Sequence, residues 1–363
     1  MRPHLVKHLP GLLAGALLWS ACSSSNPDYC PDPDVCDPAK DLETPFDLSE
    51  DSNPADADKD GDVTDASTDL PVEKPLDLSK KGPLLTVSFD LKVTANRATI
   101  ELTAIGPSTD GKEITKTLGA MPWVVLSPGF STDRKQYQHY GERLASYGVV
   151  TFLQKSPNEW NHGRYREDTG ALLAYLLAPT GPEAARLSGR LDGNRIGLVG
   201  HSLGGKISFL VAQGEPRVKA VLGIDPVDQR DPTARKEMSK IKLPPGVPIG
   251  FLGEVVSKAG SPPCAPAADN YEVLYTASPA PAFAVTFANA AHMDFVDDPG
   301  SCFSCGFCKG GTAPKERTNA LAVKYTTAYF LSTIGREKRA VDTLFGAQFQ
   351  ADVAAGYVSR VTK

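Results

Sequence analysis

The sequence has no block of basic residues and no basic stripe interleaved with aromatics, so nothing in it points to nucleic acid. Its first apolar run, Leu9–Ala21 ("LPGLLAGALLWSA"), falls short of the roughly 20 residues that a membrane-spanning helix needs. Histidine is scarce, at six in 363 residues, and after Ser202 only His292 remains. That scarcity narrows the choice of any general base. The net charge of −5 is unevenly placed: Asn26–Lys81 carries 17 acidic and five basic side chains, so the remainder is slightly basic.

What is present at the start reads as targeting. Arg2 and Lys7 precede the short apolar run, the layout of a signal peptide over residues 1–21. The run ends "LLWSAC", which resembles a bacterial lipobox with Cys22 as the lipidated first residue of the mature chain. Trp19 stands where that motif usually has Leu. Ser23 fits sorting to the outer membrane of a bacterial cell envelope; the alternative is a cleaved signal and a secreted protein. Acyl chains would hold Cys22 at a bilayer, at about 0.8 kcal/mol per buried methylene.

Residues 22–81 are rich in Ser, Pro and Asp and poor in large apolar side chains, so they read as a disordered, acidic tether. "PFDLSE" and "PLDLSK" form a weak repeat within it. Asp56, Asp58, Asp60, Gly61 and Val63 have calcium-loop spacing, which allows weak calcium binding. Ser67 stands where the bidentate Glu belongs, however, so a solvated linker is the plainer reading.

From residue 82 to 363 the pattern is that of one folded domain. "PLLTVSFDLKV" and "RATIELTAI" read as strands, and so do "MPWVVLS", "VVTFLQ", "RIGLVG", "VKAVLGID", "VPIGFLGE" and "AFAVTFANA". Helical spacing separates several of them. This alternation predicts an α/β fold, with a mostly parallel central sheet and helices on both faces. The final segment reads as a short closing helix and a tail.

Gly200, Ser202 and Gly204 in "RIGLVGHSLGGKISF" fit Gly-x-Ser-x-Gly. The pattern makes a sharp strand-to-helix turn that presents a serine at the top of a sheet. A serine hydroxyl is a weak nucleophile and needs a base, an acid to orient that base, and an oxyanion site. In the α/β-hydrolase order of Ser, acid, His, the base is His292. His201 should point away from the serine, His139 lies in an expected helix and His162 in an expected polar loop. Asp225 and Glu254 both end strands after Ser202, and position alone leaves both open as the acid. Asp228, Asp294, Asp297 and Asp298 read as solvated loop acids. The oxyanion donors are expected to be the backbone N–H groups of Leu203 and Phe130, with Ser131 as the alternative to Phe130. Phe130, Tyr137, Trp160 and Tyr165 are candidate pocket residues.

Four blocks, "GHSLGGKISF", "KAVLGIDPVD", "SPPCAP" and "AHMDFVDD", resemble the chlorophyllase-type branch of the α/β-hydrolases over roughly Pro122 to Ile334. Bacterial polyester hydrolases and dienelactone hydrolases are more distantly similar. The resemblance implies carboxylic ester hydrolysis with Ser202, Asp225 and His292 as the triad, through an acyl-enzyme and without a cofactor or metal. Two positions depart from plant chlorophyllases: Leu203 stands in place of an Arg, and Pro128 in place of a His. Both flank the pocket mouth and argue against chlorophyll as substrate. A thioesterase or peptidase would use the same triad. A non-catalytic surface-binding lipoprotein on this fold is the rival from another class.

Lipidation of Cys22 would leave Cys30, Cys36, Cys264, Cys302, Cys305 and Cys308, an even number that suits disulfides in an exported chain. Such bridges would tie the loop after His292 to the loop after Glu254. A four-thiolate zinc site at Cys264, Cys302, Cys305 and Cys308 is the alternative.

Overall fold

The computed structural model of the protein describes residues 74–228, 238, 241–260, 263–298 and 305–363. The signal segment, Cys22, the calcium-like loop, Cys30, Cys36 and Cys302 lie outside them.

Among the described residues, nine strands form one sheet in the order β1-β2-β4-β3-β5-β6-β7-β8-β9. β1 (Leu85–Ala95) and β2 (Ala98–Ser108) make an antiparallel hairpin. Its two-residue turn, Asn96 and Arg97, takes the left-handed backbone that matches the twist of a hairpin. β2 pairs antiparallel with β4 (Val150–Lys155). From β4 the pairing is parallel through β3 (Met121–Ser127), β5 (Leu191–His201), β6 (Val218–Ile224), β7 (Ile249–Glu254) and β8 (Ala282–Phe287). The central strands β3 and β7 are buried along their whole length because both of their faces are covered, and they are apolar but for Ser127 and Glu254 at their ends.

Alternate side chains divide the core in two. Val124 and Leu126 of β3 face one cluster, with Tyr140 and Leu144 of α1 (Gln138–Ser146) and Tyr325 and Tyr329 of α6 (Lys315–Thr333). Trp123 and Val125 face the other, with Leu172 and Leu176 of α2 (His162–Leu177) and Ile207 and Phe209 of α4 (Leu203–Ala212). The short α3 (Pro182–Leu187) and α5 (Tyr271–Ala277) join the second cluster through Leu187 and Leu274. Helices therefore cover both faces of a mostly parallel sheet, the arrangement of an α/β-hydrolase.

Three expectations need correcting. The closing segment is more than a helix and a tail. After α7 (Val341–Phe345) and α8 (Ala347–Ala354), β9 (Val358–Thr362) pairs antiparallel with β8, so β8 is not the last strand. That strand is short and half-exposed, which leaves little apolar pattern to read. Leu78, assigned to the tether, is fully buried in the core, and Arg143 donates to its carbonyl at 2.5 Å. Asp228 is not solvated: its carboxylate lies 2.9 Å from the Lys206 ammonium, and both are buried. Removing either partner of such a pair typically costs about 3–5 kcal/mol, since the other charge is left unpaired. No helix among the described residues is long and apolar enough to cross a membrane.

Candidate active site

Ser202 sits between the end of β5 and the start of α4, partly exposed, with φ 53° and ψ −120°. That backbone is unfavourable for a residue with a side chain and costs of order 1–3 kcal/mol. The glycines make the turn possible. A Cβ on Gly200 would lie 2.1 Å from the Gly204 carbonyl carbon, and one on Gly204 would lie 2.0 Å from the Ser127 carbonyl oxygen. No side chain fits at either place, which is the physical content of the Gly-x-Ser-x-Gly pattern.

Asp225 directly follows β6, and His292 opens a single turn of 3-10 helix five residues beyond β8. The two are brought together: His292 Nδ1 lies 2.6 Å from Asp225 Oδ2, with both residues buried. A carboxylate there accepts Nδ1–H and leaves the far ring nitrogen, Nε2, unprotonated. Asp225 Oδ1 also accepts the Glu254 backbone N–H at 3.3 Å. The side chain of Glu254, the other candidate acid, turns to the Ser257 N–H at 2.9 Å instead. Burial first, and the Asp225 charge second, push the Glu254 carboxyl up to about 8. Asp225, Glu254 and His292 each offer an atom able to ligate a metal within 4.8 Å of the others, but His292 Nδ1 and Asp225 are already committed to one another.

The loop after β3 lies against the serine. A Cβ built on Gly129 would sit 3.4 Å from the Ser202 Cβ. Of the two oxyanion candidates in that loop, Ser131 has its N–H engaged by Glu159 Oε2 at 3.0 Å. Phe130 precedes it, and Leu203 is the first residue of α4, whose N-terminus favours negative charge.

Sequence reasoning set His201 aside, and the structure gives it a place. Its Nε2 lies 2.9 Å from the His292 carbonyl oxygen, which can only accept, so Nε2 carries the proton. Nδ1 is then a bare acceptor and takes the Tyr137 O–H at 2.8 Å, while the Tyr137 oxygen accepts the Gly129 N–H at 3.1 Å. Burial, then the neighbouring His292, holds the His201 imidazole well below its usual range, so it stays neutral. One buried chain of hydrogen bonds thus runs from the loop after β3 to the backbone of His292. Only the three-dimensional fold brings these residues together, so no sequence signal announced it.

Tyr137 and Tyr165 are buried rather than pocket-lining. Phe130 and Trp160 meet edge to face, 4.4 Å between ring centres, and Trp160 is 68% exposed. His162 is not in a polar loop: it is the buried first residue of α2. His139 lies in α1, as expected, 2.8 Å from the Asp297 carboxylate.

Cys264 and Cys308 form a disulfide, which ties the loop after β7 to the segment following His292. A four-thiolate zinc site that needs both of them is thereby excluded. Closing a loop of 44 residues contributes about 4 kcal/mol in the chain-entropy account.

A sharp serine turn between strand and helix, with a buried acid–histidine pair after later strands of the same parallel sheet, defines the α/β-hydrolase class. Residues 103–246 match the PET hydrolase-like family model. The chain is 30% identical to chlorophyllase-1 of Arabidopsis thaliana over 244 residues, 61% of this chain and 74% of the relative. It is 28% identical to the bis(hydroxyethyl) terephthalate hydrolase of Streptomyces coelicolor over 182 residues, 50% of this chain and 53% of the relative. A cutinase of Thermobifida fusca is 29% identical over 105 residues, 28% of this chain and 32% of the relative. The chain belongs to the chlorophyllase and PET hydrolase-like family, and is an ester hydrolase of the α/β-hydrolase type.

Proposed function

We propose that the protein is a serine carboxylic-ester hydrolase in which Ser202, His292 and Asp225 act as a triad. The observation that carries this reading is the 2.6 Å pairing of Asp225 with His292 Nδ1, at the same end of the sheet as the strained serine turn. Ser202 Oγ attacks the ester carbonyl while His292 Nε2 takes its proton. The backbone N–H groups of Phe130 and Leu203 receive the developing oxyanion. His292 then gives the proton to the departing alcohol, and the acyl group remains on Ser202. Water, deprotonated by His292 in the second half, releases the acid and restores the serine. Asp225 stays ionised and stabilises the imidazolium throughout.

The substrate in this reading is an ester whose apolar group lies against Phe130 and Trp160, at the mouth of the site. Chlorophyll is not part of the proposal, because Leu203 and Pro128 replace the polar groups of the plant enzymes. Diethyl p-nitrophenyl phosphate tests the mechanism. It should inactivate the protein by adding one diethylphosphoryl group, and peptide mapping should place that group on Ser202. Modification elsewhere, or full activity after exposure, would refute the serine mechanism.

We further propose that a lipid on Cys22 holds the enzyme at a bacterial cell envelope, the remainder of the acidic segment serving as a spacer. Cys22→Ala should move the protein from the membrane fraction to the soluble one. Retention of the variant in the membrane fraction would count against the anchor.

A further inference from the structure

A second carboxyl lies beside the Asp225–His292 pair and takes no part in the proton transfers above. Glu254 ends β7, is fully buried, and puts an oxygen within 4.8 Å of a carboxylate oxygen of Asp225 and a ring nitrogen of His292. Its two oxygens share one donor, the Ser257 N–H, at 2.9 and 3.3 Å. The Ser257 hydroxyl accepts the backbone N–H of His292 at 2.9 Å. The Ser257 carbonyl accepts from Ala265, next to the bridged Cys264. Glu254 therefore holds the residue that holds the backbone of His292.

Charge decides which form of Glu254 can do this. The titratable groups facing it are Asp225 at the end of β6, His292 beyond β8 and Tyr271 of α5. Among the described residues, no Lys or Arg forms an ion pair with either Asp225 or Glu254. Two buried carboxylates this close, beside one imidazole, disfavour each other's charge, so one of them holds a proton near neutral pH. Asp225 has the Nδ1–H of His292 and the backbone N–H of Glu254 to stabilise its charge. Glu254 has the Ser257 N–H, with lesser help from the Ser257 hydroxyl and the Val256 N–H, and burial and the Asp225 charge outweigh these, so the proton stays on Glu254.

We propose that Glu254 is a positioning residue that stays protonated while the enzyme works, leaving Asp225 as the only anion beside His292 and clamping the His292 backbone through Ser257. The proposal rests on the triad reading above. Burial and the Asp225 charge place the loss of this proton at about 8. Above that pH a second anion pushes against Asp225, and the rate should decline. Stability follows the same proton. An unfolded glutamate releases it near 4.5, the folded one near 8, so the folded state binds more protons in that window. Stability contributed by this group is therefore lost as pH rises from about 4.5 to about 8.

The test measures kcat/KM on p-nitrophenyl butyrate, and Tm, from about pH 5 to about 9.5 for the wild type, Glu254→Gln and Glu254→Ala. Glu254→Gln keeps the shape and an acceptor for Ser257 and cannot ionise. It should hold kcat/KM at pH 7 within about fivefold of wild type, while Glu254→Ala falls tenfold or more with KM little changed. The wild type should lose rate as pH rises through about 8, and Glu254→Gln should not. The Tm of Glu254→Gln relative to wild type should climb across the same window. Superimposed pH profiles with a constant Tm difference would overturn the proposal, and so would Glu254→Gln losing as much rate as Glu254→Ala. If Glu254→Ala does not fold, Glu254→Gln decides alone. Because the Tm comparison needs no catalysis, it judges Glu254 separately even if Ser202→Ala were to hydrolyse the ester as fast as wild type.

Discussion

Ser202→Ala should lower kcat/KM on p-nitrophenyl butyrate by at least about 10⁴-fold, and His292→Ala should do nearly as much. The two losses should not add. Without Oγ there is no proton for His292 to take; without Nε2 the hydroxyl keeps its proton and remains a poor nucleophile. A double variant should match Ser202→Ala within about threefold. The residual rate would come from the oxyanion donors alone, which are main-chain and survive both changes. Loss of the strained serine side chain leaves the turn intact, because Gly200 and Gly204 determine its geometry. Tm should therefore barely move. A Ser202→Ala protein that is folded and hydrolyses the ester at the wild-type rate would refute the proposed nucleophile.

Asp225→Asn should be the next most damaging change, at about 10⁴-fold in kcat. An amide at this place can turn its NH₂ toward His292 Nδ1. The ring then carries its proton on Nε2 and cannot accept one from Ser202. The packing hardly changes, so KM should stay close to wild type. With that NH₂ toward His292, the asparagine oxygen falls in the place of Asp225 Oδ1 and can still accept the Glu254 N–H, 3.3 Å away in the wild type, so the loss reports on the His292 contact. A loss of less than about tenfold would mean that Asp225 does not orient the base, and would return the role to Glu254.

Much of this site is local in the sequence, and that part was legible. The serine turn depends on five consecutive residues, and the parallel strands before and after it carry short apolar runs, Ile196–Val199 and Ala220–Leu222. The proposed base, His292, follows by elimination, as the only histidine after Ser202. The proposed acid was not legible from position, because Asp225 and Glu254 both stand at the ends of parallel strands. What separates them is direction: Asp225, with φ 39°, turns its carboxylate to His292, while Glu254 turns toward Ser257. A backbone angle of that kind leaves no mark in composition or periodicity. The Tyr137–His201 chain and the Lys206–Asp228 pair were missed for a related reason. Each joins residues from separate elements, and each side chain alone reads as surface or core. β9 escaped because a short, half-exposed edge strand carries almost no apolar signal.

The bond between Cys264 and Cys308 makes the order of the base a matter of history as well as of sequence. Ser257, which holds the His292 backbone, lies on the segment that this bond fastens down. A chain kept among the thiol reductants of a cytosol would carry the same residues without that fastening. Preparations that passed through different surroundings, or were stored with a reducing agent, are in this respect different materials. Comparisons of rate between them should begin with a count of free thiols.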